Sequence, residues 1–173
     1  MKPELKKIAQ ISPDQSVVCI VGKDELPESI KLSKTEKDYV LRKLKEKENH
    51  VYINSYFKST YIIRLKENSS QPRVREELRR EASKLKKLIK SNNHSELVIT
   101  SHKAYDKSTL DFAEGLLLSA YPFDKYLTKD DEKSKTGYPP VIYIHGDAKK
   151  EDLLWLSSLT DAVYFTRDLI NDY

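Results

Sequence analysis

A chain of 173 residues with 38% hydrophobic and 34% charged side chains carries enough apolar material for one domain with a substantial core, and too little for two. That balance excludes a disordered chain, and a net charge of +4 is too mild to call by itself for a nucleic-acid partner. The one cysteine, Cys19, rules out an internal disulfide; inside the apolar run VVCIV it reads as a small buried hydrophobe in a reducing compartment.

The opening decapeptide MKPELKKIAQ lacks the apolar core of a secretory signal. No later stretch reaches the roughly 20 apolar residues of a membrane span. The expectation is a cytoplasmic protein with no membrane partner. Ser16 to Val21 is a short β-rich run of buried-strand type, closed by a turn over Gly22 to Pro27. Thr35 to Glu48 follows helical spacing, with Tyr39, Val40, Leu41 and Leu44 on one face and Ser33 or Thr35 as the start. His50 to Tyr56 and Thr60 to Leu65 read as strands, either a hairpin or two successive members of a sheet.

Pro72 to Lys90 is the cleanest amphipathic helix, with Val74, Leu78, Ala82, Leu85, Leu88 and Ile89 on one arc and Pro72 in the first turn. Its other face is rich in arginine and lysine. It has no interleaved aromatics to stack on bases, and Glu76, Glu77 and Glu81 fall where they can pair with the cations, so a solvated outer face is expected and no nucleic-acid surface. Glu96 to Thr100 is a further strand.

Leu110 to Tyr126 is a helix wrapped by protein on most sides, since Leu110, Phe112, Ala113, Leu116, Leu117, Leu118, Ala120 and Tyr121 cover most of its wheel. Only Asp111, Gly115 and Ser119 form a narrow polar strip. Glycine in a helix costs about 1 kcal/mol against alanine, so Gly115 implies another backbone passing close by. Glu114 lies inside the apolar arc, where a carboxylate needs a partner. Ser108 with Asp111 has the spacing of a capping box, and Pro122 ends or bends the helix.

Leu127 to Tyr138 reads as a charged loop, and Pro139 to His145 as a strand apolar enough to be covered on both faces. The last helix runs from about Lys149 to Ile170. Leu156, Leu159, Val163 and Ile170 make its expected core face, while Leu154 and Phe165 point almost the opposite way, as in a helix lying between two bodies. Alternating strands and helices give an α/β sandwich with a largely parallel sheet. The chain is expected to be one domain over residues 1–173, with 149–173 leading toward a further domain.

No constellation for catalysis emerges. His50, His94, His102 and His145 stand singly at strand ends or in loops, without ligand spacing, although His94 and His102 could meet across the strand they bracket. Cys19 has no adjacent base, and no nucleophile elbow is present. Gly22, Gly115, Gly137 and Gly146 are isolated, unlike the glycines of a phosphate cradle. Asp106 and Asp111 flank a helix start, and Asp130, Asp131 and Glu132 read as a solvated loop. No catalytic, cofactor-binding or metal-binding residue is assigned.

Two stretches carry a resemblance. Phe112 to Tyr126, FAEGLLLSAYPFDKY, resembles a segment late in the N-terminal domain of the leucine aminopeptidase (cytosol aminopeptidase) family of metallopeptidases. Asp161 to Asn171, DAVYFTRDLIN, resembles the helix leading from that domain into the catalytic one. The resemblance implies a three-layer α/β/α sandwich with a mixed, largely parallel sheet, similar to macro domains. It implies a chain without catalytic activity of its own, whose partners are its own C-terminal catalytic domain, holding two zinc or manganese ions, and the other subunits of a homo-hexamer acting on peptides. The family's metal motif, NTDAEGR, does not occur in this chain. An alternative implied by the same fold is a macro-like module binding ADP-ribose or another nucleotide.

Overall fold

The computed structural model describes residues 2–22, 25–65, 71–105, 107–121 and 141–171. In chain order the elements are β1 (Glu4–Ile8), β2 (Val17–Val21), α1 (Lys34–Lys45), β3 (His50–Ser55), β4 (Lys58–Arg64), α2 (Gln71–Ser91), β5 (Glu96–Ser101), α3 (Ser108–Ser119), β6 (Val141–His145) and α4 (Lys150–Asn171). The strands form a six-stranded sheet in the order β1-β6-β5-β2-β4-β3. All neighbours are parallel except β3 and β4, which form an antiparallel hairpin.

Pleat alternation sorts the strand side chains onto two faces. On one face Val18, Ile20, Tyr61, Ile63, Leu97, Ile99, Ile142 and Ile144 pack against residues of α2, α3 and α4. On the other, Cys19, Val21, Val51 and Ile62 meet Val40 and Leu44 of α1, with Leu26, Ile30 and Leu32 beside them. The result is the expected α/β sandwich of three layers with a mixed, largely parallel sheet. Complete burial pushes the Cys19 thiol far above its ordinary range and leaves it inert.

Local chemistry accounts for the element ends. Ser33 caps α1 with a reciprocal box: its Oγ accepts from Glu36 N at 3.3 Å and its own N donates to Glu36 Oε2 at 2.8 Å. The β3–β4 connection is a two-residue turn with Tyr56 at φ 54, a left-handed conformation that glycine or asparagine ordinarily takes.

One strand lies outside the sequence expectations, and two expectations need correction. β1 was not foreseen: ELKKI has only two apolar residues, and it lies at the sheet edge, where charged side chains blunt further pairing. The strand expected over Pro139 to His145 is described from Val141 and is buried on one face only. Ile142 and Ile144 are fully buried, whereas Val141, Tyr143 and His145, on the face α1 shares, are half-buried. Finally, Ser108 does not cap α3. The cap position is Lys107, without a side-chain bond; Ser108 is buried inside the first turn, and Asp111 turns to Arg75, with an oxygen 3.3 Å from its Nε. The described helix stops at Ser119, and Pro122, the loop over 127–138 and the continuation to Tyr126 lie outside the described residues.

Candidate interaction surface

Of the elements singled out by pattern, α4 has the most to say about function. At about 100° per residue, Leu153, Leu156, Thr160, Tyr164 and Arg167 point inward. Leu153, Leu156 and Thr160 are buried. Tyr164 donates its hydroxyl to the Leu117 carbonyl, and Arg167 Nη1 donates to the Leu118 carbonyl at 3.0 Å. Lys86 of α2 donates to the Ser119 carbonyl. These three donors bond carbonyls of the last turn of α3, of which Leu117 also accepts from Ala120 N at 3.0 Å, and two of them bring positive charge to its negative end. Burial pushes the Tyr164 hydroxyl up to about 12, with Arg167 opposing the shift.

The opposite side of α4 is apolar as well. Leu154, Trp155, Ser158, Ala162, Phe165 and Leu169 share about 100° of arc, with Glu151 at its N-terminal end, and Leu154, Trp155, Phe165 and Leu169 are 68%, 65%, 63% and 47% exposed. Leu154 and Phe165 therefore stand where pattern placed them. Trp155 and Leu169 share that direction and could have been found from the same wheel. The expected core face was rotated from the real one: Leu159 and Val163 are only half-buried, and Ile170 is 70% exposed. The inward arc includes Thr160, Tyr164 and Arg167, which a hydrophobicity pattern passes over.

The Trp155 end of this face adjoins a groove of about 280 Å³ between α2, α3 and α4, lined also by Leu110, Asp111, Glu114 and Asp152. Its carboxylates have internal partners. Glu114 meets Arg79 Nη2 at 2.7 Å, Asp111 faces Arg75, and Asp152 accepts from Lys149 N at 2.9 Å. Burial, opposed by Arg75 and Arg79, raises the Asp111 carboxyl above its ordinary range. The partner that the position of Glu114 demanded is thus Arg79.

The histidines do not converge. His94 and His102 sit at opposite ends of β5 and do not meet. His94 bonds through Nδ1 to Ser16 Oγ at 3.1 Å and through Nε2 to the Tyr61 hydroxyl at 2.7 Å. His102 lies 3.4 Å from Glu25, His145 Nδ1 lies 3.0 Å from Thr100 Oγ1, and His50 pairs with Glu81. Among the described residues there is no group of three or more His, Cys, Asp or Glu side chains placed to hold a metal ion. Gly22 is backed by the Tyr105 ring, whose hydroxyl stands 1.9 Å from where a Cβ would be. Asp106, Asp130, Asp131, Glu132 and Gly137 lie outside the described residues.

Comparison with known proteins gives this architecture a setting. No family profile matches the chain. A probable cytosol aminopeptidase of Agrobacterium fabrum is 41% identical over 70 residues, covering 38% of this chain and 14% of that protein. One of Rhizobium rhizogenes is 38% identical over 76 residues, covering 40% of this chain and 15% of the relative. The fold extends the match. A mutant tomato leucine aminopeptidase superposes with a TM-score of 0.69 at 12% identity, covering 98% of this chain and 38% of that one. The leucyl aminopeptidase of Leishmania major, in complex with actinonin, gives 0.50 at 8% identity over 84% of this chain and 30% of that one. The matched stretches span about a seventh of the curated relatives, and the shared fold little more than a third of the tomato enzyme. Over part of its length the chain is similar in sequence to cytosol aminopeptidases, and over nearly all of it similar in fold to a portion of leucine aminopeptidases.

Proposed function

We propose that this chain serves as the non-catalytic N-terminal domain of a leucyl-aminopeptidase-like two-metal exopeptidase. The outer face of α4 packs on a catalytic body, the chain's own C-terminal domain in a longer protein, and helps to organise a homo-hexamer in the cytoplasm. That body would hold two zinc or manganese ions, which supply a Lewis acid and an activated water for the release of N-terminal amino acids from peptides. The single observation that carries the reading is that α4 is apolar on both sides, with Leu154, Trp155 and Phe165 mostly exposed opposite a face that already packs on the sheet. Contiguous exposed apolar residues of this kind mark interaction sites.

The nucleotide-binding alternative draws less support. In an open α/β sheet a ligand sits at the switch point outside the strand C-termini, here between β2 and β5, where the Tyr105 side chain lies against Gly22. The test of the main reading is peptide hydrolysis by the purified chain with added Mn²⁺ or Zn²⁺. No turnover is expected, and metal-dependent release of N-terminal residues by this chain alone would overturn the assignment.

A further inference from the structure

We propose that, where no catalytic body covers it, the outer face of α4 closes on the same face of a second copy about a two-fold axis. The inference rests on the functional reading above to the extent that both take this face to be an interface. What selects a second copy is the order of side chains along the stripe. Counted outward from Thr160, Ser158 mirrors Ala162 and Trp155 mirrors Phe165. An antiparallel helix pair with its axis near Thr160 sets Ser158 against Ala162 of the partner subunit, and Trp155 against Phe165 of the partner subunit. Small residues thus meet at the centre and aromatic rings meet on either side, in the self-complementary manner that a two-fold interface requires.

The molecule already uses this device internally. α2 and α3 approach closely where Gly115 lies over Arg79 and Ala82. Ser158 and Ala162, one turn apart, give α4 a comparable low point flanked by bulk. The aromatic pairs would meet at separations that add to simple area burial. Two acidic residues border the stripe: Asp161 near its middle, which is bonded to Lys2 Nζ at 2.5 Å, and the exposed Glu151 at its N-terminal end, which the axis sets opposite Leu169 of the partner subunit. Leu154, Trp155, Phe165 and Leu169 together expose on the order of 500 Å² per copy, so the pair would bury about 1,000 Å², the lower limit of specific interfaces. The dimer is therefore weak, forming in the micromolar range and yielding to a larger partner.

Trp155, the one tryptophan of the chain, reports on this directly. Raising the concentration from about 0.5 to about 100 µM, a span that brackets micromolar affinity, should shift its emission to the blue and double the mass found by sedimentation from 20.1 kDa. Phe165→Asp, at an exposed position, should abolish both changes and leave the circular dichroism unaltered. Oxidation of the Ser158→Cys/Ala162→Cys double variant should give a covalent dimer that a reductant dissolves, with buried Cys19 taking no part. A chain that stays monomeric over the whole range overturns the proposal, as does a dimer that Phe165→Asp leaves intact. A monomeric chain that still binds an aminopeptidase catalytic body refutes the pairing and leaves the functional reading standing; a dimer that no such body displaces does the reverse.

Discussion

Gly115 of α3 lies directly over the backbone of Arg79 on α2: a Cβ at Gly115 would stand 2.6 Å from Arg79 Cα and 2.8 Å from the Ala82 Cβ. The obstacle is main chain, which cannot rotate away. Gly115→Ala would gain about 1 kcal/mol of helix propensity and meet an overpacking cost of about 1 to 3 kcal/mol or more. The expected outcome is a net loss of stability and a lower urea midpoint. An unchanged or higher midpoint would show that the two helices are not so closely apposed.

Beside that contact Glu114 and Arg79 pair at 2.7 Å, the carboxylate side chain 13% exposed and the guanidinium side chain 37%. Removing one partner of a fully buried pair costs about 3 to 5 kcal/mol, and exposure of the arginine reduces that here. Arg79→Ala, which strands the more buried Glu114 carboxylate, should destabilise by about 1 to 2 kcal/mol, more than Glu114→Ala, which leaves a guanidinium that reaches solvent. Chemical denaturation of the single and double variants measures the coupling, and additive effects would refute it.

His94 makes stability depend on pH. Burial lowers its pKa, and both ring nitrogens are engaged by Ser16 and Tyr61. Ser16 Oγ also accepts from Ser59 N at 3.0 Å, and each hydroxyl beside the ring can donate as well as accept, so the neutral imidazole is satisfied at both nitrogens. The unfolded chain binds a proton near the ordinary histidine pKa of about 6.5, whereas the folded chain resists it, so the contribution is complete above that pH and is lost as the pH falls below it. The slope cannot exceed about 1.4 kcal/mol per pH unit, and partial exposure of the ring makes it smaller. Denaturation midpoints between about pH 7.5 and 5 should fall more steeply for the native chain than for His94→Gln. Parallel profiles would contradict this.

The two sides of α4 should respond differently in the isolated chain. Leu156 is buried, and Leu156→Ala should cost about 2 to 5 kcal/mol. Leu154→Ser and Phe165→Ser, on the exposed side, should each change monomer stability by less than about 0.5 kcal/mol. Thermal or urea unfolding at sub-micromolar concentration separates the cases, and a large loss at Phe165 would mean that the ring is already packed.

Much of this was legible in the residues themselves. Apolar strand runs and helical spacing marked most of the sheet and all four helices, Gly115 announced a close backbone, and Glu114 announced a partner. Leu154 and Phe165 announced the second face of α4. What escaped notice shares a physical cause. β1 is an edge strand stabilised by backbone pairing with β6, so its lysines conceal it from hydropathy. The inward arc of α4 uses a tyrosine and an arginine to cap α3, an arrangement that exists only after folding. The partners of the histidines are set by the fold in the same way.

The most direct test of the central claim uses Trp155. At a concentration where the chain alone is monomeric, its emission is followed as the catalytic region of the Agrobacterium fabrum cytosol aminopeptidase is added. A saturable blue shift that Phe165→Asp removes is the predicted result. An emission maximum that remains that of a solvent-exposed indole throughout the titration would contradict the assignment of α4 as the face on which an aminopeptidase body docks.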